Sequence, residues 1–170
     1  MKMRKVISAF LAIACIFLIF GLLTLGATAE GERIVYATTS ATVQQGNYGY
    51  LYVYLDDLTD LSALTISVYY DTDKITVKNT YNSVSATVYD INATSGCVNA
   101  SYIFDGKGAA TKTRLFYIYY QVNSTAEVGD TYFDIVVTEA YDNSLNNISF
   151  GGSRCAFQVS EKNVSKSCSI

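Results

Sequence analysis

From residue 33 onward, apolar and polar positions alternate with a period of two, and no stretch keeps the 3.6-residue apolar rhythm of an amphipathic helix. The alternation predicts strands over residues 33–37 continuing into 40–43, then 50–55, 63–70, 74–78, 83–89, 97–104, 115–122, 132–140 and 155–159. Turn formers separate them: Gln45-Gly46-Asn47, Asp71-Thr72-Asp73, the stretch 92–96, Asp105-Gly106-Lys107-Gly108, Val128-Gly129-Asp130, Asp142-Asn143 and Gly151-Gly152. Nine short strands rich in β-branched and aromatic residues specify an all-β sandwich or barrel.

Successive side chains on a strand point to opposite faces, so parity sorts them. Leu51, Val53 and Leu55 share one face, and Tyr50, Tyr52 and Tyr54 the other. Leu64, Ile66, Val68 and Tyr70 oppose Ala63, Thr65, Ser67 and Tyr69, while Phe133, Ile135 and Val137 oppose Asp134, Val136 and Thr138. If Phe116, Ile118, Tyr120 and Val122 point inward, Tyr117 and Tyr119 point outward. Each strand thus offers one apolar side to a shared core between two sheets.

The first 29 residues follow a different pattern. Lys2, Arg4 and Lys5 precede a run from Val6 to Leu25 that is apolar apart from Ser8, Gly21 and Thr24, and Ala27-Thr28-Ala29 has the small-residue spacing of a signal-peptide cleavage site. A run of about 20 apolar residues is also long enough to span a bilayer, so residues 1–29 read as an export signal or an uncleaved anchor. Either reading puts the domain, residues 30–160, outside the cytoplasm, secreted or on the cell surface, and a membrane enters only if this segment is retained. Residues 161–170 are a polar tail without a strand pattern.

Composition narrows the chemistry. The 170 residues include no His, Trp or Pro and 15 Tyr, with a net charge of −3 that becomes −6 once residues 1–29 and their three cations are removed. Without His, serine- and cysteine-nucleophile triads and imidazole acid–base catalysis are absent, and an acidic chain does not suit nucleic acid. Asp56-Asp57 with Asp60, and Asp71 with Asp73, lack the Gly and distal Glu of a calcium loop and the cleft of a glycosidase. Their carboxylates fit turns, where Asp caps local backbone N–H groups. No cofactor, metal site or enzymatic activity is expected. Asn92, Asn99, Asn123, Asn147 and Asn163 each open an Asn-x-Ser/Thr sequon, available for glycosylation in an exported chain. Cys97, Cys155 and Cys168 leave an odd count after signal removal, predicting one disulfide of unknown pairing and one thiol left over.

The order of strand and turn motifs resembles a known family. The stretch from Gln45-Gly46 to Asp71, a Gly-led strand, a loop, and an alternating strand ending in Tyr70-Asp71 before a short turn into Ile75, is similar to the opening of a cohesin domain. Residues 115–123, the turn Ser124 to Tyr132 around Gly129, Glu139-Ala140-Tyr141-Asp142-Asn143, and Phe150-Gly151-Gly152 running on to Val159 match the later pattern in order, so the resemblance covers about residues 33–159. It implies a nine-stranded jelly roll that receives a dockerin, a small helical module that carries its own calcium, and a place in polysaccharide degradation. Ala63, Thr65 and Ser67 would lie on the dockerin-facing sheet, with Ser85 and Thr87 near them. Ala63 and Thr65 stand where many cohesins carry Asn and Asp. The same fold would put Tyr50, Tyr52, Tyr54, Tyr117 and Tyr119 together on the opposite sheet. That aromatic patch has three readings: cross-strand stabilisation, a second protein or self-assembly surface, or a polysaccharide platform.

Overall fold

A computed structural model describes residues 33–108 and 111–162. The expected signal or anchor over 1–29, with Asn163 and Cys168, lies outside the described residues. Those described form eleven strands and no helix: β1 (Arg33–Thr38), β2 (Thr42–Gln44), β3 (Tyr48–Leu55), β4 (Leu61–Tyr70), β5 (Ile75–Asn82), β6 (Val88–Thr94), β7 (Cys97–Ile103), β8 (Thr113–Val122), β9 (Gly129–Asp142), β10 (Phe150–Gly151) and β11 (Ser153–Ser160).

The strands build two sheets, one of order β10-β1-β3-β8-β5 and one of order β2-β11-β9-β4-β7-β6. Pairing is antiparallel except that β1 runs parallel to β10 and β2 parallel to β11. The all-β reading therefore holds, while the count of nine does not. One expected first strand is two, because the chain turns at residues 39–41 and passes from the five-stranded sheet into the six-stranded one. The two-residue strand β10 adds the other.

A second correction concerns residues 83–89. Only the end of this expected strand is extended. Residues 83–87 are a loop in which Ser83 N and Val84 N donate to Leu115 O, at 2.9 and 3.2 Å. Asn82 braces it, its Nδ2 donating to Val84 O at 2.8 Å and its Oδ1 accepting from Val84 N at 3.4 Å. The strand that follows, β6, runs on through Asn92 to Thr94. The expected turn shrinks to Ser95-Gly96, with Gly96 at φ 79°, where a side chain would be strained.

Inward positions follow parity. Leu51, Val53, Leu55, Ile66, Val68, Phe116, Ile118, Tyr120, Val122 and Phe133 are all fully buried between the sheets. The middle of this core is aromatic: Tyr120 meets Phe133 edge-on at 5.1 Å and Phe157 at 5.6 Å between centroids. Gly49 pairs directly with Tyr120, and a Cβ there would sit 2.5 Å from the ring's Cζ. The Tyr120 hydroxyl bonds Thr39 Oγ1 at 2.8 Å, so the polar tip of the ring is satisfied inside an apolar layer.

Two outcomes test this core. Gly49→Ala forces the Tyr120 ring to move and is expected to lower unfolding free energy by about 1–3 kcal/mol in a denaturant titration. Burial, offset in part by the Thr39 bond, pushes the Tyr120 phenol up from 10.0 to about 12. Below pH 10 both folded and unfolded chains keep this proton. As pH rises from 10 towards 12 the unfolded chain ionises first, so the contribution of this group to stability falls across that window. Tyr120→Phe should lose stability less steeply there, and an unchanged slope would remove Tyr120 as the cause.

Candidate functional site

The outer face of the six-stranded sheet is organised around β4. On it, Ala63 pairs with Ile103, Thr65 with Ser101, Ser67 with Asn99 and Tyr69 with Cys97 of β7. On the other side Ala63 pairs with Tyr141, Thr65 with Glu139, Ser67 with Val136 and Tyr69 with Asp134 of β9. Directly opposed residues share a face, so the central strip of small side chains is bordered by larger ones. Apolar area collects at its ends, where Val88 and Ile103 are exposed at one and Tyr69, Tyr132 and Val136 at the other.

The polar groups of this strip bond one another. Thr65 Oγ1 and Ser101 Oγ are 3.3 Å apart, and Ser67 Oγ donates to Asn99 Oδ1 at 2.7 Å. Ser67 is only 4 % exposed, so its hydroxyl braces Asn99 beneath the surface, although its parity is outward. Ala63 and Thr65 are half-buried. Ser85 and Thr87 are exposed, but in the 83–87 loop and not on a strand. Thr87 N donates to Ile103 O at 2.8 Å, which ties that loop to the sheet's end beside Ala63's neighbour.

The two sheets differ in charge. Strands of the six-stranded sheet contain Asp90, Asp130, Asp134, Glu139 and Asp142 against Arg154. Arg154 holds Asp134 through Nε at 2.6 Å and Nη2 at 3.1 Å and lies 4.0 Å from the Tyr132 ring centroid. That ion pair is the single salt bridge among the described residues, so Asp90 and Glu139 are uncompensated on the face. Strands of the five-stranded sheet contain no carboxylate and carry Arg33, Lys78 and Arg114.

On that second sheet Tyr50 pairs with Tyr119 and Tyr52 with Tyr117 across β3 and β8. Tyr36, Tyr48 and Tyr81 join them from β1, β3 and β5; Tyr48 and Tyr81 escaped the sequence reading because β3 and β5 run past the expected strands, and Tyr36 because the pairing of β1 with β3 could not be read from the sequence. The rings stack on each other: Tyr81 on Tyr117 at 4.7 Å, Tyr48 on Tyr119 at 5.2 Å and Tyr36 on Tyr54 at 5.5 Å, each pair within 16° of parallel. Lys112 Nζ lies 4.5 and 4.8 Å from the centroids of Tyr36 and Tyr54, and Arg114 Cζ 5.5 and 5.7 Å from those of Tyr52 and Tyr117. A hydrogen bond with Tyr36 holds the Lys112 ammonium above its ordinary value. Ring faces that would stack on a sugar are turned largely on one another or capped by cations, leaving edges and hydroxyls outward.

The sequons differ in kind. Asn92 and Asn99 pair across β6 and β7 on the outer face, and Asn147 is exposed in the loop after β9. Asn123 is structural: its Nδ2 donates to Thr72 O and Asp73 O, both at 3.0 Å, and its Oδ1 accepts from Thr76 Oγ1 at 2.6 Å. The nitrogen a glycan would take is already engaged. Cys97 and Cys155 cannot form the expected disulfide together. Cys97 faces outward on β7 and Cys155 pairs with inward Phe133 on β11, three strand spacings or about 14 Å away. Burial pushes both thiols up. Among the described residues no three Cys, Asp or Glu groups converge on a metal-sized site.

The fold has solved counterparts. CaCohA2 from Clostridium acetobutylicum matches with a TM-score of 0.65 and 17% identity over 76% of this chain and 91% of its own. The fold is cohesin-like. The Coh-OlpC–Doc435 type I cohesin–dockerin complex from Clostridium thermocellum matches this cohesin-like chain at TM-score 0.62 and 15% identity, over 81% of this chain and 99% of that one. A non-cellulosomal cohesin from the archaeon Archaeoglobus fulgidus matches at 0.58 and 14%, over 74% and 91%. No protein-family model matches the sequence, and no curated protein sequence does either.

Replacing Asn123 with Ala removes two hydrogen bonds to the 71–74 turn and one from Thr76 of β5, which together tie them to the residue that follows β8. It is expected to lower stability by about 1–3 kcal/mol in thermal or denaturant unfolding, and peptide mapping of the protein expressed in a glycosylating host should show no glycan at Asn123.

Proposed function

We propose that this chain is a non-catalytic extracellular adaptor that receives a dockerin-type helical module on the outer face of its six-stranded sheet. The observation that carries the reading is the β4 strip, where Ala63 and Thr65 leave a low central track between exposed apolar ends at Ile103 and at Tyr69 with Val136. A helix laid along that track buries apolar side chains at both ends and finds hydroxyls and amides between them, the division between core and rim typical of protein interfaces. A solved structure of the same fold from Clostridium thermocellum is a cohesin–dockerin complex, which supports a dockerin-type partner for this chain. Calcium belongs to the partner in this reading, and uncompensated Asp90 and Glu139 favour a partner helix that presents Lys or Arg.

The test is calorimetric titration with calcium-loaded dockerin modules produced by the source organism, repeated in EDTA. Calcium-dependent binding is expected, weakened at least roughly thirtyfold by Thr65→Arg, whose long cation obstructs the central track, and unchanged by Tyr52→Ser on the opposite sheet. Binding that tolerates Thr65→Arg but fails with Tyr52→Ser would assign the wrong face. No binding by any such module would leave the resemblance as one of fold alone.

A further inference from the structure

The tyrosine sheet has chemistry that the docking face does not use. Eight tyrosines cover it, and their mutual stacking sets the rings on edge, so that hydroxyls and ring edges point outward. Tyr48 and Tyr50 remain 53% and 45% exposed and Tyr81 39%. In an aromatic ring the edge is the electropositive part, and the phenol O–H donates, so this surface attracts negatively charged acceptors. The exposed cations Lys112 and Arg114 stand among the same rings. In a chain of net negative charge, the strands of this sheet expose Lys78 and Arg114 and contain no carboxylate, while Arg33 has the inward parity of Val35; Asp56, just past β3, is an acidic group felt by Lys112.

We propose that the tyrosine sheet is a membrane-docking surface that rests on the anionic headgroups of a lipid bilayer. Tyrosine is the residue type that settles at the boundary of membrane and water, where its hydroxyl lies among headgroups, and the outward hydroxyls and ring edges of this sheet meet that headgroup layer. Lysine and arginine beside it gain from an anionic leaflet, and the gain fades within a Debye length. The sequence adds a second argument for a bilayer over a soluble polyanion. Seven residues separate the end of the apolar run Val6–Leu25 from Arg33, the first residue of β1, which carries Tyr36 in this sheet. Seven extended residues span at most about 25 Å, so a bilayer that retains the run lies within reach of β1. The opposite sheet, with its uncompensated carboxylates, is then turned outward. The proposal does not depend on which partner that outer sheet binds.

The experiment reconstitutes the full chain into nanodiscs of phosphatidylcholine, with or without phosphatidylglycerol, and follows iodination of individual tyrosines by mass spectrometry. Tyr48, Tyr50 and Tyr81 should label at least roughly fivefold more slowly in the anionic discs, while Tyr69 and Tyr132 on the other sheet serve as controls and keep their rates. Protection should vanish at high salt and in the Lys112→Glu/Arg114→Glu variant, both of whose sites are exposed and outside the core. Equal labelling in the two kinds of disc would overturn the proposal. So would protection that appears only on adding a soluble polyanion such as polygalacturonate, which would reassign the face to an acidic polymer.

Discussion

Burial of Tyr120 is the constraint on which both working surfaces depend. Its ring fills the space over Gly49 and meets Phe133 and Phe157 from the facing sheet, and its hydroxyl reaches Thr39 where the chain crosses between sheets. With Tyr120 inward, Tyr117 and Tyr119 on the same strand have no choice but to face out. With Phe133 inward, Tyr132 and Asp134 must do the same. A slip of one residue in either strand would exchange core for surface along its whole length. The core therefore sets which side chains each face displays as well as holding the sheets together.

The two faces so created are chemically unlike. One is a low strip of small side chains flanked by carboxylates and short apolar ends; the other is a packed field of phenols with cations set among the rings. Cross-strand stacking stabilises the second sheet by roughly 0.2–1 kcal/mol per pair, and the same stacking determines that edges, not ring planes, meet whatever lies outside. Stability and surface character here come from one set of contacts.

Much of this was legible in the alternation alone, because parity is a local property. Leu51, Val53 and Leu55 could be sent inward and Tyr50, Tyr52 and Tyr54 outward without knowing any partner strand. What remained hidden was non-local. Tyr36 joins the tyrosine field only through the pairing of β1 with β3, while Tyr48 and Tyr81 lie on strands that extend beyond the expected 50–55 and 74–78, the second past a bulge at Val77/Asn79. Ser67 was outward by parity yet lies beneath Asn99, which comes from a strand 32 residues away. Ser85 and Thr87 fell in an apparent strand because alternation persists through a loop whose donors are taken by Leu115 and Ile103. Which two of the three thiols could meet was hidden for the same reason: spacing along the chain says nothing of which sheet layer a thiol joins, and only the structure separates Cys97 on β7 from Cys155 on β11.

The parallel pairs at the chain's ends have a consequence in time. β1 is completed by β10, and β2 by β11, with Thr42 set against Gln158 and Gln44 against Ser160. Contacts that span nearly the whole domain are the slowest to form, since the loop between them must close first. Neither sheet can be finished until the last strand has been synthesised and has emerged. The domain thus stays unassembled through most of its synthesis, and locks only when β11 arrives.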